Sequence, residues 1–282
     1  MSEVDSSEQE FWDRRADAWE RRADLLSAFS DVYGSRARDA LHVEPGARVL
    51  DVGCGPGTTA IELAARVAPG GEVLGVDISP AMVAAATRRA AASGVDNVRF
   101  VAANAQTADL GDDLDAAYSR FGVMFFADPV AAFANIGASL RAGGRLACSA
   151  WAPLIENPWM LVPTLAAGPV LKSELTIPGP DEPGPFSLSD PGRVIAVLTE
   201  AGFVDIAVDR VDGSRVITSA TADTDVRALL EVGALGDAYS AADDSTRQGA
   251  VEAVLGAIEP YRDTDGWRLP GAALVVVAHR PR

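Results

Sequence analysis

The residues best able to do chemistry stand in one short run. Val49-Leu50-Asp51-Val52-Gly53-Cys54-Gly55-Pro56-Gly57-Thr58 sets an acid before three alternate glycines. Glycine serves where a backbone must bend sharply and let a ligand approach with no Cβ in the way. The run starts in a β-branched strand pattern and passes into helical spacing, so it presents a helix N-terminus, whose unpaired N–H groups suit an anionic group. A second apolar run, residues 73–77, ends in Asp77 followed by Ile78. A carboxylate at such a strand end can accept hydrogen bonds from both hydroxyls of a ribose. The constellation predicts a nucleoside-type cofactor. Gly55, Gly57 and Ala60 also fit the G-x-G-x-x-A dinucleotide spacing, which leaves a nicotinamide-dependent oxidoreductase as an alternative. Asp51 argues against it, because a pyrophosphate would meet like charge there and an ammonium would be welcomed.

The elements that must position these residues are short. Residues 48–51, 73–77, 98–102, 116–119 and 145–150 are near-continuous apolar runs, the pattern of a parallel sheet covered on both faces. Ser79-Pro80, Asp128-Pro129 and Asp190-Pro191 each place an N-cap side chain before a proline at the first helical position. Pro69-Gly70, Gly94, Gly143-Gly144 and Gly202 read as stops. Strand–helix alternation with short links predicts right-handed crossovers and a doubly wound, Rossmann-like α/β sheet. Residues 203–208 and 273–278 read as two further strands, separated by a polar segment, 212–271, with no strand pattern. A final pair joined in this way can be antiparallel.

Composition narrows the partners. The formal net charge is −16, and Lys172 is the only lysine. Such a surface repels phosphate backbones and anionic membranes, so neither nucleic acid nor membrane is an expected partner. Arg14, Arg15, Arg21 and Arg22 alternate with Asp13, Asp17, Glu20 and Asp24 at helical spacing, the pattern of a solvated, salt-bridged helix face. Cys54 and Cys148 have no metal-ligand spacing, and no metal is expected. The first ten residues lack a basic segment followed by an apolar run, so no secretory leader is expected and the cytoplasm is the expected compartment.

The run from Val49 to Thr58 resembles motif I of the class I S-adenosylmethionine-dependent methyltransferases. Tyr118-Ser119-Arg120-Phe121-Gly122-Val123-Met124-Phe125-Phe126 and Leu140-Arg141-Ala142-Gly143-Gly144-Arg145-Leu146 are similar to the bacterial ubiquinone and menaquinone biosynthesis group within that class. The resemblance implies a seven-stranded, mostly parallel sheet whose last strand is antiparallel, with S-adenosylmethionine as cofactor. It further implies that Gly53, Gly55 and Gly57 pack against the methionine part and that Asp51 holds its amino group. Asp77 would take the ribose, and Ile78 and Met82 the adenine. Asn104-Ala105-Gln106 falls where the family has Asp-Ala; Asn104 departs from that acid but keeps an amide oxygen able to accept from the adenine amino group. Ser119 and Arg120 would lie beside the methionine moiety.

Methyl transfer from a sulfonium is chiefly a matter of alignment and exclusion of water. Residues 1–41 are expected to form a helical lid on a domain of residues 42–282, with cap insertions at 151–189 and 212–271. Phe121, Met124, Phe125, Trp151, Trp159 and Phe186 could line an apolar pocket for a small-molecule substrate. Phe186 stands out, because an aromatic ring on the loop Gly184-Pro185-Phe186-Ser187 has little reason to be there unless it packs on something. His42 precedes the first strand and His279 follows the last, so both are expected at the edge away from the cofactor. No catalytic base is assigned; Glu156, Asp181 and Tyr239 are the cap's candidates. The chain is expected to be a monomer or homodimer. A cofactor-binding protein without transferase activity remains a further alternative.

Overall fold

A computed structural model describes residues 3–173, 178–179 and 182–282. Asp181 therefore lies outside the described residues. The chain divides into two compact units. The first comprises Met1–Trp151, Gly179–Val211 and Ala273–Arg282, the second Ala152–Pro178 and Asp212–Ala272.

The first unit opens with one continuous helix, α1 (Glu3–Ala40). Alternation follows: β1 (Arg48–Val52), α2 (Thr58–Val67), β2 (Glu72–Asp77), α3 (Pro80–Ala92), β3 (Val98–Ala102), β4 (Leu114–Arg120), α4 (Pro129–Ser139) and β5 (Leu140–Trp151). After α5 (Pro158–Ala167) come α6 (Pro191–Glu200) and β6 (Val204–Thr218), then α7 (Ala222–Val232), α8 (Gly236–Ala241) and α9 (Asp244–Ala257). The two-residue β7 (Arg262–Asp263) and β8 (Gly266–His279) end the order.

The sheet runs β3-β2-β1-β4-β5-β8-β6, with β7 paired to β8 off this path. β1 through β5 are parallel, and β8 is antiparallel to β5, with Arg145 opposite His279 and Trp151 opposite Ala273. The seven-stranded path with an antiparallel last strand agrees with the expected class. Strand order reverses after β1. Right-handed crossovers then put α2 and α3 on one face and α4 on the other, and leave a crevice between β1 and β4 at the carboxyl edge.

All three proline-preceded caps form: Ser79, Asp128 and Asp190 accept from Met82 N, Ala131 N and Arg193 N. The expected stop at Gly143-Gly144 lies instead inside β5, where Gly143 takes φ 71°. The last two strands are longer than expected, and the segment 212–271 is not free of strand. β6 continues to Thr218 and β8 begins at Gly266. Burial alternates there at Arg215 and Ile217, and at Trp267 and Leu269, a period of two masked by the Asp, Arg, Ser and Gly between them.

The second unit has its own apolar centre, formed by Val226, Leu229 and Leu230 of α7, Val251 and Val254 of α9, with Ile217, Trp267 and Leu269. Within it, fully buried Asn157 ties three strands of chain together. Its amide donates to Ala152 O at 3.0 Å, and its oxygen accepts from Ala272 N at 3.1 Å and Trp159 Nε1 at 3.0 Å.

The helical N-terminus is not a purely solvated face. Glu20 pairs with Arg88 at 2.6 Å and Asp24 with Arg89, both on α3, and Arg15 is buried with its guanidinium 3.7 Å over the Phe11 ring. The acids of α1 thus fasten it to α3.

Candidate functional site

β1 delivers its chain end to the crevice as a turn held from below. Gly53 N and Cys54 N donate to Val76 O at 2.8 and 3.1 Å, and Ser119 Oγ donates to Val52 O at 2.7 Å. Gly53, Gly55 and Gly57 take φ of 66°, 52° and 83°, the left-handed region that L side chains rarely adopt. Their surroundings differ. A Cβ on Gly53 would lie 2.9 Å from Gly122 Cα, and one on Gly57 would lie 2.8 Å from Ala86 Cβ. A Cβ on Gly55 would meet nothing within 4 Å. Gly53 and Gly57 are glycines for packing, whereas Gly55 borders open space. Gly57 caps α2 with no side chain accepting from the helix N–H groups.

Two acids flank the turn. Asp51 is shielded from solvent completely; its Oδ2 accepts from Thr59 Oγ1 at 2.6 Å, and its Oδ1 has no hydrogen-bond partner. Burial pushes its carboxyl up to about 7, against the lowering effects of Thr59 and of the Arg120 charge. Asp77, half-buried, accepts from Gly55 N at 2.8 Å on Oδ2 and from Ser79 N at 3.0 Å on Oδ1. Desolvation raises it to about 6, although both N–H donors oppose the rise.

The other expected site residues fall around this edge with unequal freedom. Ile78 is half-buried beside Asp77. Met82 is fully buried in the core, leaving no free face. Asn104 Oδ1 accepts from Gln106 N at 2.9 Å, Ala105 O accepts from Asn135, and Gln106 Oε1 accepts from Asp128 N at 3.0 Å. The Asn104 oxygen thus closes its own turn. Ser119 is wholly buried and spends its hydroxyl on Val52 O. Arg120, at the end of β4, donates to Ser27 Oγ of α1 at 3.0 Å.

Phe121 follows at φ 64°, a strained conformation for a bulky residue, costing on the order of 1–3 kcal/mol. Its N–H donates to Ser149 O at 3.1 Å, and its ring stacks on Trp151 with centroids 3.8 Å apart and planes 7° apart. Tyr33 of α1 meets both rings edge-on, and Phe29 lies nearly parallel to Trp151 at 6.2 Å. Trp12 of α1 meets Phe125 edge-on at 5.0 Å. Met124 is buried, and its carbonyl accepts from both Gly184 N and Ser187 Oγ, which fixes the loop carrying half-buried Phe186. Trp159 belongs to the second unit, packed against its apolar centre.

Three residues at this edge escaped sequence reasoning. Thr59, the second residue of α2, is aimed at Asp51, eight positions earlier. Asp13 of α1 accepts from Ser79 Oγ and from Ala81 N at 3.2 Å, reinforcing the cap of α3. Ser27 receives Arg120. Thr59 directly follows the motif; the other two depend on where a distant helix docks.

His42 is exposed before β1, and His279 pairs with the start of β5, so both lie away from the carboxyl edge. Glu156 lies in a 3-10 turn of the second unit, where Tyr239 of α8 receives Arg227 Nη1 at 3.3 Å. Among the described residues no cluster of His, Cys, Asp or Glu could hold a metal, and no helix is long and apolar enough to cross a membrane.

A glycine turn with two acids at the switch point of a doubly wound sheet defines a nucleoside-cofactor domain. Residues 49–144 match the family model described as a methyltransferase domain. Nocamycin O-methyltransferase of Saccharothrix syringae is 30% identical over 179 residues, 61% of this chain and 64% of that one. Demethylmenaquinone methyltransferase of Thermus thermophilus is 38% identical over 140 residues, 49% of this chain and 63% of that one. The chain thus spans under two thirds of the length of these curated relatives. Among solved structures, the YcgJ protein of Bacillus subtilis shares the fold, with a TM-score of 0.56, 20% identity, and coverage of 89% of this chain and 99% of that one. Residues 49–144 thus form a methyltransferase domain, similar in sequence to these S-adenosylmethionine-dependent enzymes.

Proposed function

We propose that the protein binds S-adenosylmethionine at the carboxyl edge of β1, β2 and β4 and transfers its methyl group to a small, largely apolar molecule. The observation that carries this reading is the pairing of Asp51 and Asp77 across the open face at Gly55. Asp51 Oδ1 is a buried acceptor lacking a donor, and an ammonium supplies one; Asp77 keeps lone pairs beyond its two N–H bonds for ribose hydroxyls. Both acids suit a cationic cofactor and disfavour a pyrophosphate. Arg120 suits the cofactor's carboxylate, and Ile78 with the Asn104–Gln106 turn suits the adenine. Gly53, Gly57, Met82 and Ser119 serve by shaping the turn rather than by touching the ligand.

S-adenosylmethionine supplies a methyl already activated on a sulfonium. The chain's task is to hold the acceptor in line and keep water out. Phe121, Phe125, Trp151 and Phe186, with Met124 beneath, make an apolar surface for the acceptor, and α1 lays Trp12, Phe29 and Tyr33 over it. Two relatives are named for demethylmenaquinone and nocamycin, which supports a small-molecule acceptor.

Titration calorimetry with S-adenosylmethionine, S-adenosylhomocysteine and NADH tests the cofactor. The first two bind and NADH does not; micromolar NADH binding reverses the assignment. Turnover against a panel of small acceptors then tests the transfer. Phe186→Ala lowers turnover more than cofactor affinity; equal losses place Phe186 in the cofactor site or the core.

A further inference from the structure

Asp51 combines two properties that oppose each other. It is fully shielded from water, yet Oδ1 lacks any hydrogen-bond partner, a state that no other carboxylate oxygen among the described residues shares. The two oxygens are unequal because of Thr59. That hydroxyl has one proton and donates it to Oδ2. Oδ2 is therefore committed, and a proton taken up by Asp51 belongs on Oδ1, the atom a ligand's N–H must reach.

The surroundings set how readily that proton is held. From β4, Arg120 favours the anion but spends a guanidinium N–H on Ser27 Oγ of α1. Asp77 of β2 and Glu62 of α2 disfavour the anion, and buried Tyr118 of β4 and Cys54 of the turn bring no positive charge. Desolvation outweighs the favourable contributions and brings the carboxyl to about 7.

Building on S-adenosylmethionine as the cofactor, we propose that Thr59 is a positioning residue that leaves Oδ1 as the one oxygen for which a proton and the cofactor's ammonium compete, so that binding expels a proton. The O–H bond on Oδ1 breaks, the proton passes to buffer, and an N–H···O hydrogen bond to the carboxylate forms. Below about pH 7 the free protein holds the proton, release approaches one per site, and affinity falls about tenfold per pH unit. Above it, release declines and affinity levels off.

Calorimetry in buffers of different ionisation enthalpy counts the protons directly, with S-adenosylhomocysteine as probe. Wild type releases close to one proton at about pH 6 and little at about pH 8. Asp51→Asn abolishes the release centred on about pH 7, leaving at most the part near and below about pH 6 that Asp77 can supply. Thr59→Val removes a bond that favours the anion, so its release window moves to higher pH and its neutral-pH affinity drops; Thr59→Ser behaves as wild type. Native circular dichroism is the control, and Asp51→Asn carries the test alone where Thr59→Val fails to fold. Release at about pH 7 that persists undiminished in Asp51→Asn overturns the proposal, as does a Thr59→Val profile identical to wild type. Absence of binding at every pH sinks the cofactor reading itself, a different failure from binding without proton release.

Discussion

The two ends of one parallel sheet are built on opposite terms. At the amino edge, charges meet partners. Arg48 pairs with Glu72 at 3.1 Å, Asp115 accepts from Arg48 N and pairs with Arg141, each at 2.8 Å, and Arg145 donates to Ala40 O at 2.8 Å and to His279 Nε2 at 3.0 Å. His279 Nδ1 is left buried without a bond there. Asp115, although partly desolvated, is held below the usual carboxylate range by the Arg48 N–H and by Arg141. At the carboxyl edge the acids are driven the other way, Asp51 to about 7 and Asp77 to about 6, and one buried oxygen lacks a donor. Backbone strain does not separate the two edges, since Phe121 is left-handed at the carboxyl edge and His42 and Asp113 are left-handed at the amino edge. The lesson is that the acid of the amino edge is bonded to arginine and to backbone, whereas the acids of the carboxyl edge are desolvated without an ion pair, the pattern that marks a candidate functional edge.

The sharpest break in this comparison is a matched pair of acid deletions. Asp77→Ala weakens S-adenosylmethionine binding on the order of 10²-fold, about two hydrogen bonds to a charged acceptor. Asp115→Ala leaves affinity unchanged and lowers the melting temperature instead. Calorimetry and thermal denaturation of both variants settle it, and similar affinities in the two would erase the difference between the edges.

A smaller contrast lies inside the glycine turn. Gly57→Ala forces a methyl against Ala86 and Phe100 at φ 83°, and destabilises by roughly 1–3 kcal/mol. Gly55→Ala meets no protein atom, so beyond the modest cost of its backbone angle it loses affinity on the order of tenfold. If Gly55→Ala binds the cofactor as wild type does, the open space at Gly55 is not the ligand's.

The smallest expected effect concerns the histidines. His42→Gln combined with His279→Gln changes turnover by less than about twofold, because neither reaches the carboxyl edge; removal of a true general base would cost 10²–10⁴-fold. A loss of that size, with fold and cofactor binding intact, would place a histidine in the chemistry.

The motif from Asp51 to Thr58 and the acid at Asp77 were legible because they depend on local backbone demands: a strand end, a left-handed turn, a helix start. The five parallel strands and the Ser79, Asp128 and Asp190 caps were legible for the same reason. What could not be read were contacts made at long range. No spacing rule ties Asp13 to Ser79, Ser27 to Arg120 or Trp12 to Phe125, since each joins α1 to a residue more than sixty positions away. The extensions of β6 and β8 were hidden likewise, because a strand rich in Asp and Arg is stabilised by its neighbour's ladder rather than by its own composition. Nor could the sequence sort the glycines or the site side chains by use: Met82 sits in the core, and Ser119 is spent on Val52. Local propensity and spacing decided which residues meet at the carboxyl edge of the sheet. Tertiary packing alone decided which of their polar atoms were consumed by the fold and which, like Asp51 Oδ1, were left without a bond.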